Sequence, residues 1–246
     1  MFDKFRKGKN GLYILSKNDI EKEAEVLLNK YFGNCLHNAQ PTPIEELIEK
    51  LGLSIEYKKI SSNSEILGAF VFNEGYLDVY DNDLKEKYHF NEKTIIIDTS
   101  LVENDDKRLT FTFGHELGHY VTQFNLFHID NNQMSLFDEN TNEQIAVTCN
   151  RNFVTSKQKK LLITKEDWQE WQANYFSSSI LIPKKTLEKL LSPYLENYDV
   201  MSQNAVLDKL NSKELKELIC KFSSIYQVSN EMMENRLRDL GYLNIN

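Results

Sequence analysis

The sequence predicts an α+β protein: a small antiparallel or mixed sheet packed on helices, with a C-terminal helical extension. Three observations predict it. Apolar residues recur at helical spacing over 18–52, strand-like alternation and β-branched runs fill 53–98, and helical spacing returns over 105–124 and 165–182. A boundary is expected near residue 200, giving one domain over 1–200 and a helical segment over 201–246.

The 246 residues are enough to bury a substantial core, and 41% hydrophobic with 27% charged residues is an ordinary globular composition. A net charge of −8 argues against broad binding to nucleic acid or anionic membranes. No apolar run approaches the roughly 18 residues of a membrane span. The apolar stretch Gly11 to Leu15 is too short for a signal peptide, so a cytoplasmic location is expected. Cys35, Cys149 and Cys220 are odd in number and far apart, which excludes a disulfide framework and predicts buried, reduced thiols.

Asn18 opens the first helix with Glu21 three residues on, Ile20, Ala24, Leu27, Leu28 and Tyr31 share one face, and Gly33 ends it. Thr42 as N-cap, Pro43 at the first helical position and Glu45 as the capping-box acid start a second helix that Gly52 stops. Both helices are accounted for as core cover. Leu53 to Ile60 reads as a strand, and 69–72 and 76–80 as two strands joined by a hairpin turn at Asn73-Glu74-Gly75. Thr94 to Asp98 is a short apolar strand, either interior or an edge that could pair with an extended peptide. Ser100 to Arg108 connects it to the next helix. From Asn125 to Ile163 periodicity fades into a long excursion of the kind that is usually functional or mobile, in which Lys157, Lys159 and Lys160 face solvent.

The chemistry lies in 109–121. There His115-Glu116-Leu117-Gly118-His119 forms the pattern H-E-x-x-H on an amphipathic helix whose stripe is Leu109, Phe113, Leu117, Val121 and Phe124, with Asn104 and Asp105 available as N-cap. Histidines four apart share a helix face, so both imidazoles can reach one Zn²⁺. The acid beside the first histidine stands where a general base is needed. The bland alternative is a pair of structural histidines. Against it, Gly114 and Gly118 each cost a helix about 1 kcal/mol, which predicts close approach of another backbone.

A catalytic zinc needs a third protein ligand. The H-E-x-x-H-x-x-G-x-x-H arrangement is excluded, because Thr122 and Asn125 stand where glycine and histidine are required. His128 could serve only if the chain turned straight back. Thr164 to Asp167 is a capping box that opens the later helix, so Glu166 and Asp167 are explained by capping. Trp168, Trp171 and Tyr175 form one side of that helix, and Glu170 sits mid-helix between the tryptophans, where an unpaired buried acid would be costly. Glu170 is therefore the expected third ligand, with Asn174 one turn on to hold a ligand histidine by its other ring nitrogen. One Zn²⁺ per chain is expected, though Mn²⁺, Fe²⁺ or Co²⁺ suit the same donors. Glu116 would take a proton from the attacking water and pass it to the leaving amine. Tyr88, His89, Tyr120, His128 and Tyr175 are all eligible to steady the oxyanion, and the sequence does not rank them.

Phe113-Gly114-His115-Glu116-Leu117-Gly118-His119-Tyr120, followed some fifty residues later by Glu170-Trp171-Gln172-Ala173-Asn174-Tyr175-Phe176 and Ile180-Leu181-Ile182-Pro183, resembles the ImmA/IrrE family of metallo-endopeptidases. The helix at Thr42 to Leu47 and the strand at Ile95 to Asp98 fit the family's order, and the likeness covers about 18–190. It implies a zincin-like core, metal bound by His115, His119 and Glu170, catalysis by Glu116, and a DNA-binding repressor of a mobile element or stress regulon as substrate. Ser177-Ser178-Ser179 departs from the alanine-rich residues more common there, with small size kept.

Ser212 begins a C-terminal helix bearing Leu215, Leu218, Ile219 and Phe222, and Val228-Ser229 is the turn into another bearing Met233, Leu237 and Leu240. The order resembles a helix-turn-helix. Lys209, Lys213, Lys216, Lys221, Arg236 and Arg238 against Asp208, Glu214, Glu217, Glu231, Glu234 and Asp239 leave no net charge, which is poor for a DNA reader. Packing or contact with a protein substrate is the expected role. The rivals to a peptidase are a regulatory module with a structural metal site, its C-terminal helices contacting DNA or a repressor, and a toxin–antitoxin component.

Overall fold

The computed structural model describes residues 5–63, 65–82, 84–103, 108–128, 145–150, 162–195 and 206–244. It is α+β with a small mixed sheet. Contacts divide the chain into two compact units that interleave in sequence: Met1–Ile20 with Ile44–Ser177, and Glu21–Pro43 with Ser178–Asn246. This partition does not follow the boundary expected at 200. Residues on the C-terminal side of that point group with Glu21–Pro43 because the pairing that organises the second unit is long-range.

In the first unit, α2 (Ile44–Lys50), β1 (Ser54–Tyr57), β2 (Ile66–Val71), β3 (Gly75–Asp81), β4 (Leu84–Phe90) and β5 (Thr94–Ile97) follow one another. Gly52, at φ +74, ends α2 in a Schellman motif: its N–H donates to Glu49 O at 2.9 Å and that of Leu53 to Ile48 O at 3.2 Å. After β5 come α3 (Thr99–Glu103), α4 (Arg108–Phe127), β6 (Ala146–Asn150) and α5 (Lys165–Leu181). The proposed caps Asn104 and Asp105 lie outside the described residues, as do Lys157, Lys159 and Lys160. The segment expected to be a plain connection carries α3, and the expected excursion after Asn125 carries β6.

The sheet order is β1-β5-β2-β6. β1 runs parallel to β5, while β2 is antiparallel to both β5 and β6. β5 is thus interior, and the edge role considered for it is excluded. The expected hairpin between β2 and β3 is also absent: β2 pairs within the sheet, and β3 forms a separate ribbon with β4. The reversal comes one strand later, after Asp81, where Asn82 takes φ +46. β4 escaped the sequence reading because Leu84 to His89 are all exposed and mostly polar, so it shows no apolar alternation.

β2 is apolar along its length because both of its faces are covered. Ala69 and Val71 join Ile96, Val79 and Phe90 in a core beneath the ribbon. By the period of two, Gly68 and Phe70 face the other way, toward α4, where Phe70 meets Tyr120 and Phe124 with ring centroids 5.8 and 6.3 Å apart. α4 is thereby laid across β2 and β5.

The second unit contains the end of α1 (Lys17–Phe32), the 3₁₀ turn Gly33–Leu36, the end of α5, α6 (Lys184–Leu195), the 3₁₀ turn Val206–Lys209, α7 (Ser212–Tyr226) and α8 (Asn230–Asp239). Ser16, not Asn18, starts α1: its hydroxyl and Asp19 bond reciprocally at 2.6–3.2 Å. Glu21 serves a different purpose. Arg236 of α8, fully buried, donates to Glu21 Oε1 at 2.6 Å and Oε2 at 2.9 Å, to the Ile182 carbonyl at 3.1 Å and to Ser179 Oγ at 3.3 Å. One of the six basic residues counted in the helix-turn-helix reading is thus withdrawn from the surface. Asn211 caps α7 in a box with Glu214, one residue before the predicted start. Cys35 is buried as expected, whereas Cys220 is exposed on the outward side of α7.

Candidate metal centre

The 3.6-residue period places His115 and His119 one above the other on α4, both fully buried. Their Nε2 atoms are 2.9 Å apart. From α5, Glu170 offers Oε2 at 3.3 Å from His115 Nε2 and Oε1 at 3.5 Å from His119 Nε2. Two imidazoles and a carboxylate distant in sequence converge, buried, on one point.

Whether that donor set suits a metal can be tested on distances. Bonds of about 2.0–2.1 Å in tetrahedral geometry set neighbouring donors roughly 3.3–3.4 Å apart. The two spacings to Glu170 match, and the spacing between the imidazoles is shorter. The outer ring nitrogens are also engaged: His115 Nδ1 lies 2.9 Å from Asn174 Oδ1, and His119 Nδ1 lies 3.0 Å from Gln123 Oε1. Each ring is therefore aimed with Nε2 inward. Asn174 stands where the sequence reasoning put it, while Gln123 was missed although it lies one turn beyond His119.

Burial and mutual contact shift the titration of His119 and Glu170. Burial holds His119 below its ordinary pKa, against the opposing pull of Glu170. Burial works against ionisation of Glu170, but the charge and hydrogen bonds of His115, with those of His119, outweigh it and keep the carboxyl well below the usual range. For His119 and Glu170 these directions favour the neutral ring and the ionised carboxylate, the forms in which each binds a divalent cation.

Glu116 is fully buried, and neither carboxylate oxygen has a hydrogen-bond partner. Burial pushes its pKa up to about 8, with His115 pulling it down and Glu170 pushing it up. β2 passes directly over it. A Cβ at Gly68 would lie 2.7 Å from Glu116 Oε1 and 2.7 Å from Thr112 Cγ2, so any side chain there would displace Glu116 and Thr112. Gly68 was missed, yet a glycine inside an apolar strand is a recognised sign of close approach.

α5 is held against α4 at several points. Thr164 and Asp167 form the expected capping box, with bonds of 3.0 and 3.1 Å. Ser177 donates to the Phe111 carbonyl at 3.0 Å. The close approach predicted from the paired glycines is realised at Gly118, where a Cβ would lie 2.8 Å from both Cα and O of Ala173. Gly118→Ala is expected to destabilise the protein by about 1–3 kcal/mol in urea unfolding, because overpacking against main chain outweighs the roughly 1 kcal/mol of helix propensity that alanine brings.

Other candidates lie elsewhere. His128 stacks on Phe124 at 4.5 Å, with Nδ1 3.2 Å from the Phe72 carbonyl and 3.3 Å from Glu92, and is not in the converging group. Of the five eligible oxyanion donors, Tyr88 and His89 are on the exposed ribbon, Tyr120 packs on Phe70, and Tyr175 is buried beside Trp171. No protein-family model matches this chain, and no curated protein matches it. Among the described residues, no helix is long and apolar enough to cross a membrane.

Proposed function

We propose that the protein is a zinc-dependent endopeptidase with a zincin-like core, acting on a specific protein. One observation carries the reading: an acid buried without a hydrogen bond, Glu116, beside a converging His115, His119 and Glu170. His115, His119 and Glu170 would hold the ion, which when bound supplies Lewis acidity to polarise a carbonyl and acidify water. Glu116 is the proton carrier. Its raised proton affinity and its freedom from other bonds suit a group that accepts a proton from water and returns it to the departing amine. Asn174 and Gln123 orient the imidazoles. The resemblance to ImmA/IrrE metallo-endopeptidases supports a DNA-binding repressor as the substrate.

A second reading, a structural metal site in a regulatory protein, is favoured by the burial of all four residues. A structural site, however, has no use for Glu116. Leaving a buried carboxylate unsatisfied costs about 1–3 kcal/mol or more, a cost that chemistry explains and packing does not.

The test is to incubate zinc-loaded protein with a cell extract and sequence new N-termini. They are expected with the wild type, lost on chelation and restored by Zn²⁺. Glu170→Gln, expected to bind less than one zinc per chain by elemental analysis, should produce none. Stoichiometric zinc with no new N-termini would sink the peptidase and leave the structural-site reading.

A further inference from the structure

We propose that Gln123 is a positioning residue that sets the ring tautomer of His119 and ties that ring to the helix of the third ligand; the role in metal binding rests on the function proposed above. Gln123 is fully buried. Its Oε1 lies 3.0 Å from His119 Nδ1, and its Nε2 donates to the main-chain carbonyl of Gln169 at 3.0 Å. The second bond decides the first. A carbonyl only accepts, so the NH₂ group of Gln123 must face Gln169 and its oxygen must face His119. That oxygen also only accepts, so His119 Nδ1 carries the proton and Nε2 keeps its lone pair. The lone pair is the one directed at His115 Nε2, 2.9 Å away, and Glu170 Oε1, 3.5 Å away.

The same amide joins the two ligand helices. Gln169 immediately precedes Glu170, so its bond to Gln123 fixes the main chain of α5 next to the carboxylate. The Gln169 side chain returns a weaker bond, Nε2 to Gln123 Oε1 at 3.4 Å, and is itself buried. Moving α5 along α4 would break the contact that aims His119. The second and third ligands are therefore positioned through one side chain.

The experiment compares wild type, Gln123→Leu and Gln123→Glu. The tautomer of His119 is read from ring ¹⁵N shifts in the metal-free protein, and zinc affinity from competition with a chromogenic chelator. Gln123→Leu is expected to lose roughly 10–100-fold in affinity and to shift His119 away from the Nδ1–H form. Gln123→Glu keeps an acceptor toward the ring but has no donor for the Gln169 carbonyl, so it should hold the Nδ1–H tautomer while losing affinity through the broken tie to α5. If Gln123→Leu does not fold, Gln123→Asn, one methylene too short to reach the ring, carries the same expectation. Wild-type tautomer and affinity in the folded Leu or Asn variant overturn the proposal, as does a shift of His119 away from the Nδ1–H form in Gln123→Glu equal to that in the apolar variant. The tautomer measurement needs neither metal nor substrate, so a protein without peptidase activity would refute the function while leaving the assignment of Gln123 standing or falling by itself.

Discussion

Glu116→Gln is expected to lower peptide hydrolysis by about 10²–10⁴-fold with zinc still bound at one ion per chain. The amide has the shape of the carboxylate but cannot accept the proton. The converging nitrogen and oxygen atoms of His115, His119 and Glu170, which could hold the ion, are untouched, so metal content measured by elemental analysis should equal that of the wild type. Stability should change little, because the amide has the shape of a carboxyl whose two oxygens are buried without hydrogen bonds, so no bond is lost. Glu116→Asp is a sharper control, since it keeps the base and withdraws it from its place under Gly68. Full activity in Glu116→Gln would remove Glu116 from the mechanism whatever the metal does.

Arg236→Met is expected to cost about 3–5 kcal/mol in denaturant unfolding. The guanidinium is fully buried and makes a two-pronged bond to Glu21, with further bonds to Ile182 and Ser179. Truncating it takes both of these charge-assisted bonds from a carboxylate that stays buried. Arg236→Lys should recover little, because one ammonium cannot span both carboxylate oxygens while also reaching the Ile182 carbonyl. Glu21→Leu combined with Arg236→Met should recover much of the loss, since replacing both members of a buried pair by apolar groups is often nearly neutral. A single variant with wild-type stability would show that the pair contributes nothing to the second unit.

The parts of this protein legible in the sequence are those governed by short-range rules. His115 and His119 share a face because the helical repeat puts them there, and Thr164 with Asp167 announces the start of α5 through a contact three residues long. Glu170 and Asn174 were reachable across some fifty residues only because zinc chemistry asks for a third ligand and a buffered imidazole. Gln123 obeyed the same helical spacing as the ligands and was still passed over, because an amide four residues beyond a histidine has no chemical signature of its own.

By itself, the sequence determined most of the helical segments, though not Thr99–Glu103 or Lys184–Leu195, as well as where the motif lies and which donors face the same way, since periodicity and capping are written within one or two turns of chain. Only the tertiary structure decided strand partners: β5 is interior, β2 pairs with β6 instead of β3, and β4 exists as the exposed half of a ribbon. It also decided that Gly68 lies over Glu116, and that Glu21 meets Arg236 at a separation of 215 residues. Pairing across such distances depends on which surfaces exclude water together, and no local pattern of residues encodes that choice.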